Sequence, residues 1–261
     1  MNDFNITLVQ TSLTWQQSSE NCRSISERLE AHLSEQKTDL IVLPEMFNSG
    51  FTMNPEKVAE SMEGPTVDWL KSQAQKFDAA ITGSMVIRSE GKNFNRMLFV
   101  SPDGNVEHYD KRHLFRMADE HQRYSEGSEK KMVNWRGWRI ALFICYDLRF
   151  PVWCRQKNDA DLMLFIASWP AARAHPWITL LKARAIENLC YVAGVNRIGT
   201  DANDIAYQGD SAVYDMKGLP VVELLDKDEI STQTLSADAL VHFREVFPAH
   251  LDADDFSLKI D

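Results

Sequence analysis

At 261 residues, with 44% hydrophobic and 25% charged residues, the chain can bury a substantial core as one large α/β domain or two small ones, and its composition excludes disorder. A net charge of −10 argues against nucleic acid or an anionic membrane surface as the main partner, although a pocket on an acidic protein can still be positive. Four cysteines (Cys22, Cys145, Cys154, Cys190) are too few for a disulfide scaffold, no basic-then-apolar signal opens the chain, and no apolar run spans a bilayer, so a cytoplasmic protein with reduced thiols is expected.

Short apolar runs alternate with amphipathic stretches along the chain. The strand Ile6–Gln10 is expected first, then a helix over Ser18–Gln36, where Cys22, Ile25, Leu29 and Leu33 recur at helical spacing. A strand at Leu40–Leu43 precedes a helix at Thr66–Phe77, which starts after Gly64-Pro65. Strands then follow at Ala79–Ile87, Met97–Ser101 and Val106–Tyr109, the last two separated by the Pro102-Asp103-Gly104 turn. Arg139–Ile144 and Leu162–Ala167 read as strands buried on both faces. A helix at Trp177–Leu189 and strands at Tyr191–Asn196, Ser211–Tyr214 and Pro220–Leu224 complete the pattern. No repeat, low-complexity tract or linker interrupts it, so a single α/β domain with mixed strand pairing, built as a sandwich, is expected.

Three ionisable residues lie just beyond predicted strands: Glu45, Lys111 and Cys145. Ligands of α/β sheets bind outside the carboxyl ends of strands, so neighbouring strands would bring the three to one site. A thiol attacks as thiolate and needs a base or a nearby cation. Glu45 suits the first need. Lys111 suits the second, and it would also neutralise an oxyanion. Each residue also has an ordinary reading: Cys145 as a core thiol, Glu45 as a loop residue, Lys111 as part of a solvated charge run. Cys22, Cys154 and Cys190 read as structural. The cluster His108, Asp110, His113, Asp119, Glu120 and His121 raises a metal hydrolase, but it matches no compact metal spacing; a catalytically silent scaffold is the other alternative.

Three segments, Leu43-Pro44-Glu45-Met46-Phe47, Tyr109-Asp110-Lys111-Arg112-His113-Leu114-Phe115 and Cys145-Tyr146-Asp147-Leu148-Arg149-Phe150-Pro151, resemble in order the signatures of the nitrilase (carbon–nitrogen hydrolase) superfamily. The likeness extends to Asn95–Phe99, Ala183–Asn188 and Gly194–Gly199 and covers nearly the whole chain. It implies a four-layer α-β-β-α sandwich, a homodimer and no cofactor or metal. It also implies a triad of Glu45 as general base, Lys111 as oxyanion stabiliser and Cys145 as nucleophile. Many members use a second glutamate after the lysine; Glu120 fits that place, with Asp119 and Glu126 as alternatives. Residues from about 237 to 261 would form a C-terminal helix and tail facing a partner subunit.

Within the superfamily the chain resembles the omega-amidase branch, which hydrolyses ω-monoamides of dicarboxylic acids such as 2-oxoglutaramate; another amide, an N-carbamoyl compound or a nitrile is the alternative. Tyr146, Arg149 and Trp169 are the expected substrate contacts. Arg149 is placed to read a substrate carboxylate, unless it pairs with Asp147; Arg173 and Arg197 are in reserve.

Overall fold

The computed structural model describes residues 1–259. In chain order, β1 (Phe4–Gln10) leads through α1 (Ser18–His32) to β2 (Leu40–Val42); α2 (Pro55–Val58) and α3 (Pro65–Phe77) then precede β3 (Ala80–Ser89), β4 (Lys92–Val100) and β5 (Val106–Asp110). The short α4 (Glu120–Arg123) is followed by β6 (Lys131–Trp135), β7 (Trp138–Ile144), α5 (Pro151–Cys154), β8 (Leu162–Ala167), α6 (Ala174–Asn188) and β9 (Tyr191–Asn196). A small hairpin of β10 (Ile198–Thr200) and β11 (Ala206–Gln208) comes before β12 (Ala212–Tyr214), β13 (Pro220–Glu223), β14 (Glu229–Leu235) and α7 (Ala237–Val246).

Two six-stranded sheets result, ordered β14-β1-β2-β3-β4-β5 and β13-β12-β9-β8-β7-β6. Each is parallel at its centre, through β1–β2–β3 and β7–β8–β9, and antiparallel toward its edges. Side-chain alternation sorts the first sheet between two cores. Leu40, Val42, Met97 and Phe99 share a cluster with Ile140 and Leu142 of the second sheet, whereas Ile41, Leu98 and Val100 pack with Leu29 of α1 and Leu70 of α3. On the far side, α6 lies on β9, where the side chains of Trp177 and Leu181 pack directly over the bare Cα of Gly194. The layers therefore run helix, sheet, sheet, helix.

Trp138 belongs to the inter-sheet core, and Trp135 packs against it. Phe4 and Trp138 rings lie 5.3 Å apart across the two sheets, and the buried indole donates its Nε1–H to the Asn2 carbonyl at 2.9 Å.

Four strands escape the apolar pattern. β6, β10, β11 and β14 are short or polar; β14 reads Glu-Ile-Ser-Thr-Gln-Thr-Leu, yet it pairs with β1 along its whole length, from Phe4↔Leu235 to Gln10↔Glu229. Tertiary pairing overrides local composition there. β4 begins at Lys92 rather than Met97, because Glu90-Gly91 closes a hairpin that the polar Asn93, Asn95 and Arg96 conceal. α1 stops at His32 rather than Gln36, since Ser34-Glu35-Gln36 offers nothing to the apolar stripe. The C-terminal segment forms α7, a 3-10 turn at Ala249–Asp252 and an extended run; Ile260 and Asp261 of the anticipated tail lie outside the described residues. No helix among the described residues is long and apolar enough to cross a membrane.

Candidate active site

Every residue from Leu43 to Gly50, just beyond β2, is buried. The segment is pinned to β3: Leu43 N–H donates to the Thr82 carbonyl at 2.8 Å, and Met46 N–H to Ser84 Oγ at 2.9 Å. Glu45, fully buried, therefore points in a fixed direction. Its Oε1 accepts from Lys111 Nζ at 2.8 Å and Asn95 Nδ2 at 2.8 Å, and its Oε2 accepts from the Ser168 amide at 2.8 Å.

Lys111 directly follows β5, and its amide donates to the Asn95 carbonyl at 3.0 Å. Gly127 closes the next loop over this strand end; a Cβ there would stand 2.2 Å from the Asp110 carbonyl oxygen, so only glycine fits the approach. That loop carries Glu120 inward, where Oε2 lies 2.9 Å and Oε1 3.1 Å from Lys111 Nζ, and Oε2 also accepts from Phe115 N–H at 2.6 Å. One ammonium thus sits between two buried carboxylates.

Cys145 opens a 3-10 turn, Cys145–Arg149, at the end of β7. Its φ of 46° is left-handed, as are those of Met46 (47°) and Asp119 (58°), so a strained residue stands at or beside each of Cys145, Glu45 and Glu120. Such conformations cost about 1–3 kcal/mol each and persist where the surroundings enforce them. The Cys145 turn is enforced by Asp147, whose carboxylate accepts from Ile144 N–H at 3.0 Å, Tyr109 OH at 2.7 Å and His113 N–H at 3.0 Å. This carboxylate ties the cysteine turn to the strand end that carries Lys111.

Burial alone would depress the Lys111 pKa, but Glu120 and Glu45 outweigh it and hold the ammonium charged well above its ordinary range. Burial pushes the Glu120 carboxyl up; Lys111 opposes the rise and Glu45 adds to it. Burial also pushes the Cys145 thiol well up, with Glu45 adding and Lys111 opposing. A thiol used as a nucleophile needs a base, and Glu45 is the carboxylate whose charge acts on Cys145 most strongly.

Cys145 faces a cavity of about 590 Å³ walled by Trp15, Phe51, Phe115, Tyr146, Trp169 and Tyr207. Three cations, Lys57, Arg149 and Arg173, also line it, and among the described residues none pairs with a carboxylate. Arg149 lies with its guanidinium carbon 5.0 Å from the centre of the Trp169 ring, and Arg173 sits 5.3 Å over Phe115. Asp201 is the acid on the wall, and it already accepts from Tyr207 OH at 2.9 Å and Asn203 N–H at 2.8 Å. An acidic protein thus presents a cationic pocket.

The structure brings Glu45, Lys111, Glu120 and Cys145 together, with Tyr146, Arg149 and Trp169 on the same cavity. Asp119 stays exposed, and Glu126 turns out to Arg112 at 3.1 Å. Arg149 does not pair with Asp147, whose oxygens are taken by Ile144, Tyr109 and His113. Arg197 is withdrawn behind the wall, fully buried, stacked on Tyr207 at 4.6 Å and donating to the Leu13 carbonyl at 3.3 Å. The polar cluster around residue 110 disperses: Asp110 pairs with Arg96 at 2.7 Å, His113 with Asp147, Glu120 with Lys111. Among the described residues no group of three His, Cys, Asp or Glu side chains is placed to hold a metal. Asn95, Lys57 and the Ser168 amide are site groups that the motifs did not single out. Asn95 lay in a segment already resembling the superfamily, but its two carboxylate contacts need the folded sheet.

Residues 5–244 match the carbon–nitrogen hydrolase family model. The chain belongs to the carbon–nitrogen hydrolase family. It is 48% identical over 256 residues to "Omega-amidase YafV" of Escherichia coli strain K12, covering 97% of this chain and 98% of that protein. It is 31% identical to the 2-oxoglutaramate amidase of Bacillus subtilis strain 168, over 95% of this chain and 96% of that one. The crystal structure of a CN-hydrolase superfamily protein from Xanthomonas campestris, with an arsenic adduct in its active site, superposes with a TM-score of 0.95 at 50% identity, covering 99% of this chain and 100% of that one. The four-layer sandwich is thus that of the nitrilase superfamily, the sequence falls in its omega-amidase branch, and this carbon–nitrogen hydrolase is an amidohydrolase.

Proposed function

We propose that this amidohydrolase releases ammonia from the terminal carboxamide of dicarboxylic acid ω-monoamides, such as 2-oxoglutaramate or succinamate, through a thioester on Cys145. This reading is carried by the buried Glu45–Lys111–Glu120 cluster beside Cys145, which lines a cavity together with three unpaired cations. Glu45 takes the thiol proton as sulfur attacks the amide carbon. Lys111 stabilises the oxyanion, Glu45 returns the proton to the departing ammonia, and a water activated by Glu45 then cleaves the thioester. Glu120 keeps Lys111 charged and aimed. Tyr146 and Trp169 wall the acyl chain, and Arg149, which lies over Trp169, receives the remote carboxylate.

We also infer a cytoplasmic homodimer. The four unpaired thiols support a reducing compartment. The exposed Val246, Phe247, Leu251, Phe256 and Leu258 support residues 237–261 as the face toward a second copy. Light scattering of the full chain, of a chain ending at Pro248 and of the full chain carrying Val246→Asp with Phe247→Asp checks the second point; a dimer that persists unchanged in both variants rules that face out.

Ammonia release across ω-monoamides, neutral amides, N-carbamoyl compounds and nitriles tests the substrate class. The ω-monoamides should give the highest kcat/KM. Preference for a neutral amide or a nitrile would refute the substrate reading.

A further inference from the structure

We propose that Asn95 is a positioning residue of this site, holding Glu45 and Glu120 on either side of Lys111 by giving one amide proton to each carboxylate. The proposal rests on Glu45 acting as the general base. Asn95 is fully buried in β4, its Nδ2 lying 2.8 Å from Glu45 Oε1 and 3.3 Å from Glu120 Oε1. Its backbone carbonyl accepts the Lys111 amide at 3.0 Å. One residue therefore contacts both carboxylates and the backbone of the lysine between them.

The orientation of the amide is fixed by chemistry, since an oxygen turned toward two carboxylate oxygens would be repelled. The other end of the side chain shows the cost: Asn95 Oδ1 is buried and has no hydrogen-bond partner. A buried acceptor without a donor lowers stability, and an apolar residue of similar size would avoid it. An amide retained there earns its place through its two N–H groups. Lys111 alone cannot do this work, because its ammonium already serves three carboxylate oxygens. Without Asn95, Glu45 keeps one donor on each oxygen, and its repulsion with Glu120 is relieved only by Lys111.

The experiment is the pH profile of kcat/KM for wild type, Asn95→Ser, Asn95→Ala and Asn95→Asp. The groups facing Glu45 are Lys111 after β5, Glu120 on α4, Cys145 after β7, Tyr124 after α4 and Tyr207 on β11, and all are intact in these variants. Removing a donor from an ionised carboxylate favours its protonation, so the acid limb should move to higher pH by about one unit in Asn95→Ala. Asn95→Asp, which puts a third carboxylate in the cluster, should move it further. Near neutral pH, Asn95→Ala should lower kcat by about 10- to 100-fold with little change in KM, as expected for loss of base alignment. Asn95→Ser, smaller and still a donor, should fall between wild type and Asn95→Ala, and it carries the test if Asn95→Ala does not fold. An acid limb that stays put in every folded variant overturns the proposal, whatever happens to the rate. Glu45→Gln separates the two layers: if the wild-type acid limb survives in that variant, it is the assignment of Glu45 as base that fails.

Discussion

Glu45 and Ser168 stand 123 residues apart yet share two hydrogen bonds: the Ser168 amide donates to Glu45 Oε2 at 2.8 Å, and its hydroxyl donates to the Glu45 carbonyl at 3.1 Å. The loop after β8, in the second sheet, thus grips both the carboxylate and the backbone of a residue that follows β2 in the first. The site is assembled across the sandwich, and its geometry depends on the two sheets staying in register.

The carboxylate of Glu45 is surrounded by donors: Lys111, Asn95 and Ser168. A glutamine amide would have to turn its NH₂ toward one of them, so Glu45→Gln should lose about 1–3 kcal/mol of stability as well as the base. Its kcat should fall about 10²–10⁴-fold. Urea unfolding and steady-state kinetics check the two effects. A rapid burst followed by slow turnover would limit Glu45 to thioester hydrolysis, and a near-normal rate would remove it from the mechanism.

Lys111→Met preserves most of the side-chain stem but leaves Glu45 and Glu120 buried without their cation. Breaking a buried pair this way costs about 3–5 kcal/mol, so the variant should unfold at distinctly lower urea near neutral pH. The sign of the pH effect follows from Glu120, whose folded pKa burial already raises above its ordinary 4.5. A raised pKa contributes stability that is present below the unfolded value and lost as pH rises through the folded one. The loss should therefore shrink at pH 5 and grow at pH 8. Equal deficits at both would mean that the two carboxylates do not feel Lys111.

Much of this arrangement was legible in the sequence. Glu45, Lys111 and Cys145 each follow an apolar strand, and the end of a strand is a position that pattern can locate. The helix stripes of α1 and α3 were equally readable, because Leu29 and Leu70 recur at a period their neighbours share. Asn95 was not, since a polar residue inside a strand gains meaning only from what lies across the sheet. β14 was hidden for the same reason: its pairing with β1 lies more than 200 residues away in the chain. The choice among Asp119, Glu120 and Glu126 turned on a left-handed residue at 119, which aims the next side chain inward and no spacing rule encodes.

Arg149, with its guanidinium carbon 5.0 Å from the Trp169 ring centre, lines the cavity together with Arg173 and Lys57. Succinamate should therefore exceed butyramide, a neutral amide of similar length, by roughly 10- to 150-fold in kcat/KM. Arg149→Met should remove most of that preference, and Arg149→Met with Arg173→Met should abolish it. Equal kcat/KM for the two amides in the wild type would refute carboxylate recognition. A preference intact in the double variant would move the recognition to Lys57.

In the proposed mechanism Cys145 carries the acyl group. Cys22, Cys154 and Cys190 are buried, and none lines the cavity. Rapid-quench mass spectrometry with peptide mapping, on enzyme turning over the best ω-monoamide, decides whether Cys145 does. An acyl adduct is expected on the peptide containing Cys145, formed as ammonia is released, with no adduct or ammonia from Cys145→Ala. Undiminished ammonia release by folded Cys145→Ala, or an adduct confined to another residue, would contradict that mechanism.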